Sequence, residues 1–144
     1  MARLRAPTQT QAMELDDAAE QLSRALPREA LRLLAEHVHS IGELDLLMLL
    51  EDDRRRSWDA EQVCDRLRCP HSWAEPRLDA LAAAGLLTEA QGQYRCAPSS
   101  AELDEALDAI THAHRTQFEQ LGAVIVSPRR RRSAFAALRG GRRR

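Results

Sequence analysis

The chain has 144 residues and a formal net charge of −1; 44% of its residues are hydrophobic and only 3% are aromatic. This length fits a single domain, and an interior supplied by Leu and Ala favours helices over sheets. The sequence holds no stretch of about 20 apolar residues and no apolar leader after Met1. We therefore expect a cytoplasmic protein with no membrane partner.

Charge is distributed unevenly along the chain. Residues 40–98 contain seven arginines against eleven acidic residues, whereas residues 127–144 contain eight arginines and no acid. An acidic body thus carries a strongly basic end. The basic end is able to follow the backbone of a nucleic acid, but such ends equally serve solubility.

The predicted elements divide the chain into five segments. Residues 1–10 are a flexible N-terminus, 11–39 form N-terminal helices, 40–98 form the central unit, 99–127 form one long helix, and 128–144 form a basic tail. The N-terminal helices are indicated by apolar residues at steps of three and four, and Pro27 both ends the first and suits the start of the second.

Four further helices are expected to begin at capping patterns, in which a Ser or Asp is followed three residues later by Glu or Gln. The pairs are Ser40 with Glu43, Asp59 with Gln62, Ser72 with Glu75, and Ser99 with Glu102. A tiny strand precedes Asp59. The helix that starts at Ser72 is predicted to end at Gly85, and two short strands joined by a glycine-containing turn follow it up to Cys96.

The predicted order of elements in the central unit is therefore a helix, a short helix, a tight break, a second helix, a glycine and a β-hairpin. Residues 78–87 (LDALAAAGLL) followed by Tyr94 resemble the end of the recognition helix and the wing of MarR-like and ArsR-like bacterial regulators. Residues 58–63 (WDAEQV) resemble the start of the first helix in their helix-turn-helix. The resemblance implies a mainly α fold, a winged helix-turn-helix with flanking N- and C-terminal helices and a small β-hairpin wing.

This resemblance also implies a transcriptional regulator that binds double-stranded DNA as a homodimer. In a helix-turn-helix the second helix enters the major groove and its N-terminal residues contact base edges. The predicted DNA-binding residues are Ser72, Trp73, Pro76, Arg77, Gln93 and Arg95.

A protein-binding winged helix without specific DNA binding is the alternative. The acidic balance of residues 40–98 gives little phosphate neutralisation unless their arginines cluster on one face. The arginines that would have to cluster are Arg54, Arg55, Arg56, Arg66, Arg68 and Arg77. If Ala74, Leu78 and Leu81 face the core, Trp73 either points outward and marks a protein contact or folds back over the hydrophobic core.

The dimer is expected to form along the helix of residues 99–127. Its apolar residues follow steps of three and four as a single seam, which suits packing against the same helix of a second copy. The predicted dimer residues are Leu103, Leu107, Ile110, His114, Phe118 and Leu121.

Cysteine and histidine patterns predict neither a metal site nor an enzyme. Cys64, Cys69 and Cys96 are an odd number in a chain too large to need disulfides, so reduced thiols are expected, with Cys64 packed in the core and the other two more open. No pair has a standard zinc spacing. No nucleophile with a paired base and no phosphate-binding glycine loop is present, so no catalytic residue and no cofactor are predicted.

Overall fold

The computed structural model describes the backbone of residues 9–136 and 138. Within this part of the chain lie eight helices and a three-stranded antiparallel sheet, so the predicted mainly helical class is confirmed. The elements are α1 (Gln9–Ala25), α2 (Arg28–His37), α3 (Ile41–Asp52), β1 (Ser57–Trp58), α4 (Ala60–Leu67), α5 (His71–Ala83), β2 (Leu87–Ala90), β3 (Gln93–Cys96), α6 (Ala101–Thr116), α7 (Phe118–Val126) and α8 (Pro128–Ala134). Most of the predicted flexible N-terminus lies outside the described residues. None of the described helices combines the length and apolar character needed to cross a membrane.

Several helix starts follow from local sequence as predicted. Pro27 separates α1 from α2. The Ser40 hydroxyl accepts a hydrogen bond from the Glu43 amide, 3.2 Å away, and starts α3. At α4, Asp59 and Gln62 form both bonds of a capping box, with lengths of 2.8 and 2.9 Å. These bonds satisfy amide groups that have no partner within the first helical turn.

Two predicted caps are wrong. α5 begins at His71, directly after Pro70, and no side chain caps it, so Ser72 already lies in its first turn. α6 is capped by Ser100, whose hydroxyl accepts from the Leu103 amide at 3.1 Å. The Ser99 amide instead donates a hydrogen bond to the Gly85 carbonyl, 2.8 Å away, in the turn that precedes the hairpin.

The hairpin and the end of α5 match the prediction. The strand order in the sheet is β1-β3-β2, and β2 and β3 pair around a turn at Gln91 and Gly92, which both have positive φ. Gly85 follows α5 at φ +89°, and a Cβ added there would stand 2.5 Å from the Ser99 hydroxyl oxygen. Only glycine suits this connection, which turns the chain from α5 directly into the hairpin.

The core consists mainly of Leu and Ala side chains supplied by almost every element. α2 packs against α6, α1 packs against α7 and α8, and α4 packs against α5. Leu34, Leu78, Leu107 and Ile110 are completely buried in this single core. The N-terminal and C-terminal helices therefore pack on each other and on the central unit.

The predicted long helix of residues 99–127 is wrong, since the chain breaks at Gln117 (φ −139°, ψ 49°) and forms α6 and α7. Leu107, Ile110 and Leu121 are 0% exposed in the chain's own core, and Phe118 is 48% exposed. Leu103 and His114 are half-buried. The six predicted dimer residues therefore do not form one exposed seam, and three of them have no surface to offer a second copy.

Candidate interaction surface

The surface formed by α5 and the hairpin is the one to which the sequence assigned function. The Tyr94 hydroxyl on β3 donates a hydrogen bond to the Asp79 carboxylate on α5, which fixes the hairpin against the helix. Tyr94 itself is 4% exposed and belongs to the core. The neighbouring exposed parts of α5 and the hairpin are therefore held in a constant relation.

Three carboxylates surround this contact, and we call Glu75, Asp79 and Glu89 the acidic edge. All three are exposed at the surface of α5 and β2. Burial, the hydrogen bond to Asp79, and the negative charges of the three carboxylates together raise the pKa of Tyr94 far above its ordinary value. The junction of α5 and the hairpin thus has a negative potential, opposite in sign to a site for phosphate.

Arg77 is engaged within the chain. Its Nε atom donates to the Glu43 carboxylate at 2.7 Å and its Nη1 atom donates to the Trp73 carbonyl at 2.9 Å. Its guanidinium also lies over the Trp73 ring, 4.5 Å from the ring centre. The charge of Arg77 is thus paired within the chain, and its DNA contact stays a prediction.

Trp73 folds back onto the core, which is the second of the two positions that the sequence allowed. The side chain is half-buried and packs against the core, and its ring lies beside Gly42 at the start of α3. A Cβ added to Gly42 would be 3.6 Å from the Trp73 ring. Trp73 therefore joins α5 to α3, and its role as an outward anchor for a partner is not available in this structure.

Glu43, in the first turn of α3, is the acidic partner of Arg77. Burial would raise its pKa, but hydrogen bonds from the His39 amide and from Arg77, with the positive charge of Arg77, outweigh burial and lower the pKa below its ordinary 4.5. The ionised carboxylate therefore stabilises the folded chain at neutral pH.

Replacing Glu43 by glutamine is expected to lower the free energy of unfolding at pH 7 by about 1–2 kcal/mol, because charge-assisted bonds are lost. Since the folded-state pKa is depressed, this contribution is present above pH 4.5 and disappears as the pH falls through the folded-state pKa. Urea unfolding of both proteins from pH 7 to pH 3 should show converging stabilities. Glu36→Gln, an exposed change on α2, is the control, and a gap that stays constant with pH would contradict the assignment.

The remaining predicted DNA-binding residues lie on two different surfaces. Ser72 and Pro76 are exposed on α5. Gln93 and Arg95 are exposed on β3, where Arg95 stands opposite Ser57 and alternates with Tyr94 along the strand. Because neighbouring residues of a strand point to opposite faces, Arg95 faces away from α5. Ser72 and Pro76 therefore form no single contact surface with Arg95.

Two arginines of the central unit are paired with carboxylates within the chain, and two others lie together over one aromatic ring. Arg54 binds Glu51, Asp104 and Asp108 at 2.7, 2.6 and 3.1 Å. Arg56 and Arg66 lie over the ring of Trp58, at 3.7 and 5.5 Å from its centre. With Arg77 also bound to Glu43, two of the six are paired with carboxylates, whereas Arg55, Arg56, Arg66 and Arg68 are exposed.

The start of the predicted basic tail is a packed helix, α8, which begins at the predicted boundary, Pro128. In α8, Arg129 and Arg130 bind the Asp16 carboxylate on α1. Arg131 donates to three backbone carbonyls at the end of α2. The remaining arginines of the predicted tail, at positions 139 and 142–144, lie outside the described residues.

Two of the three thiols, those of Cys64 and Cys96, have raised pKa values. Burial raises the pKa of Cys96 to about 11, so the prediction that Cys96 is more open is wrong. Burial and the neighbouring Cys69 thiol raise the pKa of Cys64. Both thiols are therefore protonated at neutral pH. Among the described residues, no three His, Cys, Asp or Glu side chains are grouped closely enough to hold a metal ion.

Comparisons with family models, curated proteins and solved structures found no match to the chain. The arrangement of its own residues is therefore the basis on which a function is assigned. Within that arrangement, the acidic edge is the feature of α5 and the hairpin that the sequence interpretation did not single out.

Proposed function

We propose that the chain is a winged-helix module that binds a protein partner, a segment rich in Lys or Arg, and does not read duplex DNA. The observation that carries this proposal is the acidic edge at the junction of α5 and the hairpin. Between residues 71 and 96 the chain has three acids and two arginines, of which Arg77 is already paired and Arg95 faces away.

The winged-helix part of the proposal is supported by element order and packing. α3, β1, α4, α5 and the hairpin follow one another in the order of that layout, and α5 packs beside both α4 and β2. The sheet order β1-β3-β2 places the short strand before α4 next to the second hairpin strand.

Electrostatics favours a cationic partner over a nucleic acid. Affinity for DNA arises largely from Lys and Arg side chains that neutralise phosphates. Carboxylates on α5 and on the hairpin repel phosphates from the positions that a recognition helix and a wing would occupy on DNA. The same carboxylates attract a Lys or Arg side chain and steer its approach.

A DNA-binding regulator is the second candidate. The observation in its favour is that Ser72 and Pro76 are exposed near the start of α5, as a helix that contacts base edges requires. This candidate depends on Arg55, Arg56, Arg66, Arg68 and Arg95 for phosphate contacts, and the eleven acidic residues of segment 40–98 oppose them.

The test compares the wild type with a variant that carries Glu75→Gln, Asp79→Asn and Glu89→Gln. Binding to a labelled random duplex is measured by fluorescence anisotropy, and binding to a displayed peptide library is measured in parallel. At physiological salt the wild type should bind duplex no more tightly than about 10⁻⁶ M, the range of non-specific contacts. The variant should bind duplex about tenfold more tightly at low salt, because three repulsive charges are gone.

The peptide arm should yield Lys- and Arg-rich sequences whose affinity drops at least about tenfold for the same variant. A matched control carries Asp17→Asn, Glu102→Gln and Glu105→Gln, which change the net charge equally on α1 and α6 and should leave both readouts near wild type. Nanomolar, sequence-selective binding of wild type to genomic fragments would instead establish the second candidate.

A further inference from the structure

An open groove of about 610 Å³ lies between α3, α4 and α6, away from the acidic edge. Its apolar part is formed by Met48, Leu49 and Leu67, which are only partly buried. The volume is in the range of pockets that take whole small ligands, so the groove is large enough for one aromatic side chain.

An exposed aromatic side chain, Phe118, stands directly beside this groove. Phe118 and Val126 on α7 are 48% and 59% exposed and are the exposed large hydrophobic side chains of the described residues. Phe118 meets the ring of His114 edge-on, with 5.3 Å between ring centres, and His114 lines the groove. A recess and a projecting aromatic ring thus share one face of the molecule.

The charges around this face are also complementary. Asp45 and Asp52 lie on the α3 side of the groove, seven residues apart, which is about 10 Å along a helix. Arg115 lies on the α6 side, three residues before Phe118. Among the described residues, none of these three side chains forms an ion pair.

We propose that this face binds a second copy of the chain about a two-fold axis. Phe118 of each copy enters the groove of the other and packs on Met48 and Leu67. Arg115 of each copy then approaches the partner's Asp45 and Asp52. In a two-fold interface, both partners of every contact must lie on the same surface of the chain. This face meets that requirement, because it carries the projecting ring together with the groove, and the arginine together with the two aspartates.

This interface replaces the predicted seam with residues that the fold leaves exposed. It also explains why Phe118 faces solvent at the start of α7, because an exposed large apolar side chain beside an apolar recess marks an interaction site. The inference does not depend on the proposed function, since it uses no residue of the acidic edge.

The experiment uses two charge-reversed full-length variants. One carries Arg115→Glu, and the other carries Asp45→Arg with Asp52→Arg. Each variant alone places like charges across both halves of a two-fold interface, but an equimolar mixture restores opposite charges in both halves. Sedimentation equilibrium of wild type, of each variant and of the mixture measures association directly.

Wild type and the mixture should dimerise, whereas each variant alone should show a dissociation constant at least about tenfold weaker. Phe118→Ala should weaken the dimer without lowering the urea midpoint, and Arg95→Glu, which has the same charge change as Arg115→Glu, should dimerise like wild type. A monomeric wild type at several hundred micromolar overturns the proposal and leaves this face for a different protein. Dimers that persist in each variant alone overturn it in favour of another surface.

Discussion

Replacing Leu107 by alanine is expected to lower the free energy of unfolding by about 3–4 kcal/mol, within the range measured for buried Leu to Ala changes. Leu107 is 0% exposed and lies in the single core to which α2 and α6 both contribute. Truncation removes apolar contacts on all sides, and the close-packed neighbours cannot fill the space. Urea unfolding followed by circular dichroism measures the loss.

Leu103→Ala is the matched control on the same helix. Leu103 is half-buried, so the same chemical change should cost about 1–2 kcal/mol. The two variants also separate a core role from the predicted seam. In the core, Leu107→Ala lowers stability and leaves the association state at a given concentration unchanged. A variant that stays equally stable but loses its dimer would show that Leu107 lies in an interface after all.

Local rules explain why much of the fold was predictable. The caps at Ser40 and Asp59 and the glycine after α5 each depend on residues within one turn of the chain, so the sequence contains the whole signal. The predicted cap at Ser99 is wrong: Ser100 caps α6, and the Ser99 amide is bonded to the Gly85 carbonyl. That bond depends on the fold, since it joins the turn before the hairpin to the segment after it.

The break at Gln117 had no comparable signal. Apolar residues continue at helical spacing through residues 110–121, and neither proline nor glycine interrupts them. α6 packs against α2 while α7 packs against α1, so the two parts serve different neighbours. Periodicity reports which face of a helix is apolar, but it does not report whether one helix or two supply that face.

For the candidate surface too, one part was predictable from local sequence and another part was not. Glu75 and Asp79 are four residues apart on α5 and beside its buried residues, so helical spacing alone would have placed them together. The pairing of Arg77 with Glu43 spans 34 residues and could not be foreseen. Long-range pairing thus decided which charges remain available to a partner.

Replacing Arg131 by alanine is expected to lower the free energy of unfolding by about 2–3 kcal/mol. Its guanidinium donates to the carbonyls of Leu34, Ala35 and Val38 at 2.7, 3.0 and 2.6 Å. The Leu34 carbonyl also accepts from the Val38 amide, whereas the carbonyls of Ala35 and Val38 lie at the helix end, where partners within the helix run out and Arg131 supplies donors from a distant element. Burial lowers its pKa, but an arginine remains protonated at neutral pH.

Arg129→Ala is the control, because Arg129 is two residues away in the same helix but its bond to Asp16 is exposed and should be worth no more than about 1 kcal/mol. Arg131→Lys should recover only part of the loss, since an ammonium group keeps the charge but not the planar set of donors that reaches three carbonyls. Thermal unfolding orders the three variants, and hydrogen exchange should locate the weakened amides in α8 and at the end of α2. Equal, small losses for the Arg131 and Arg129 variants would mean that α8 is held by its apolar contacts and that its arginines remain available for binding elsewhere.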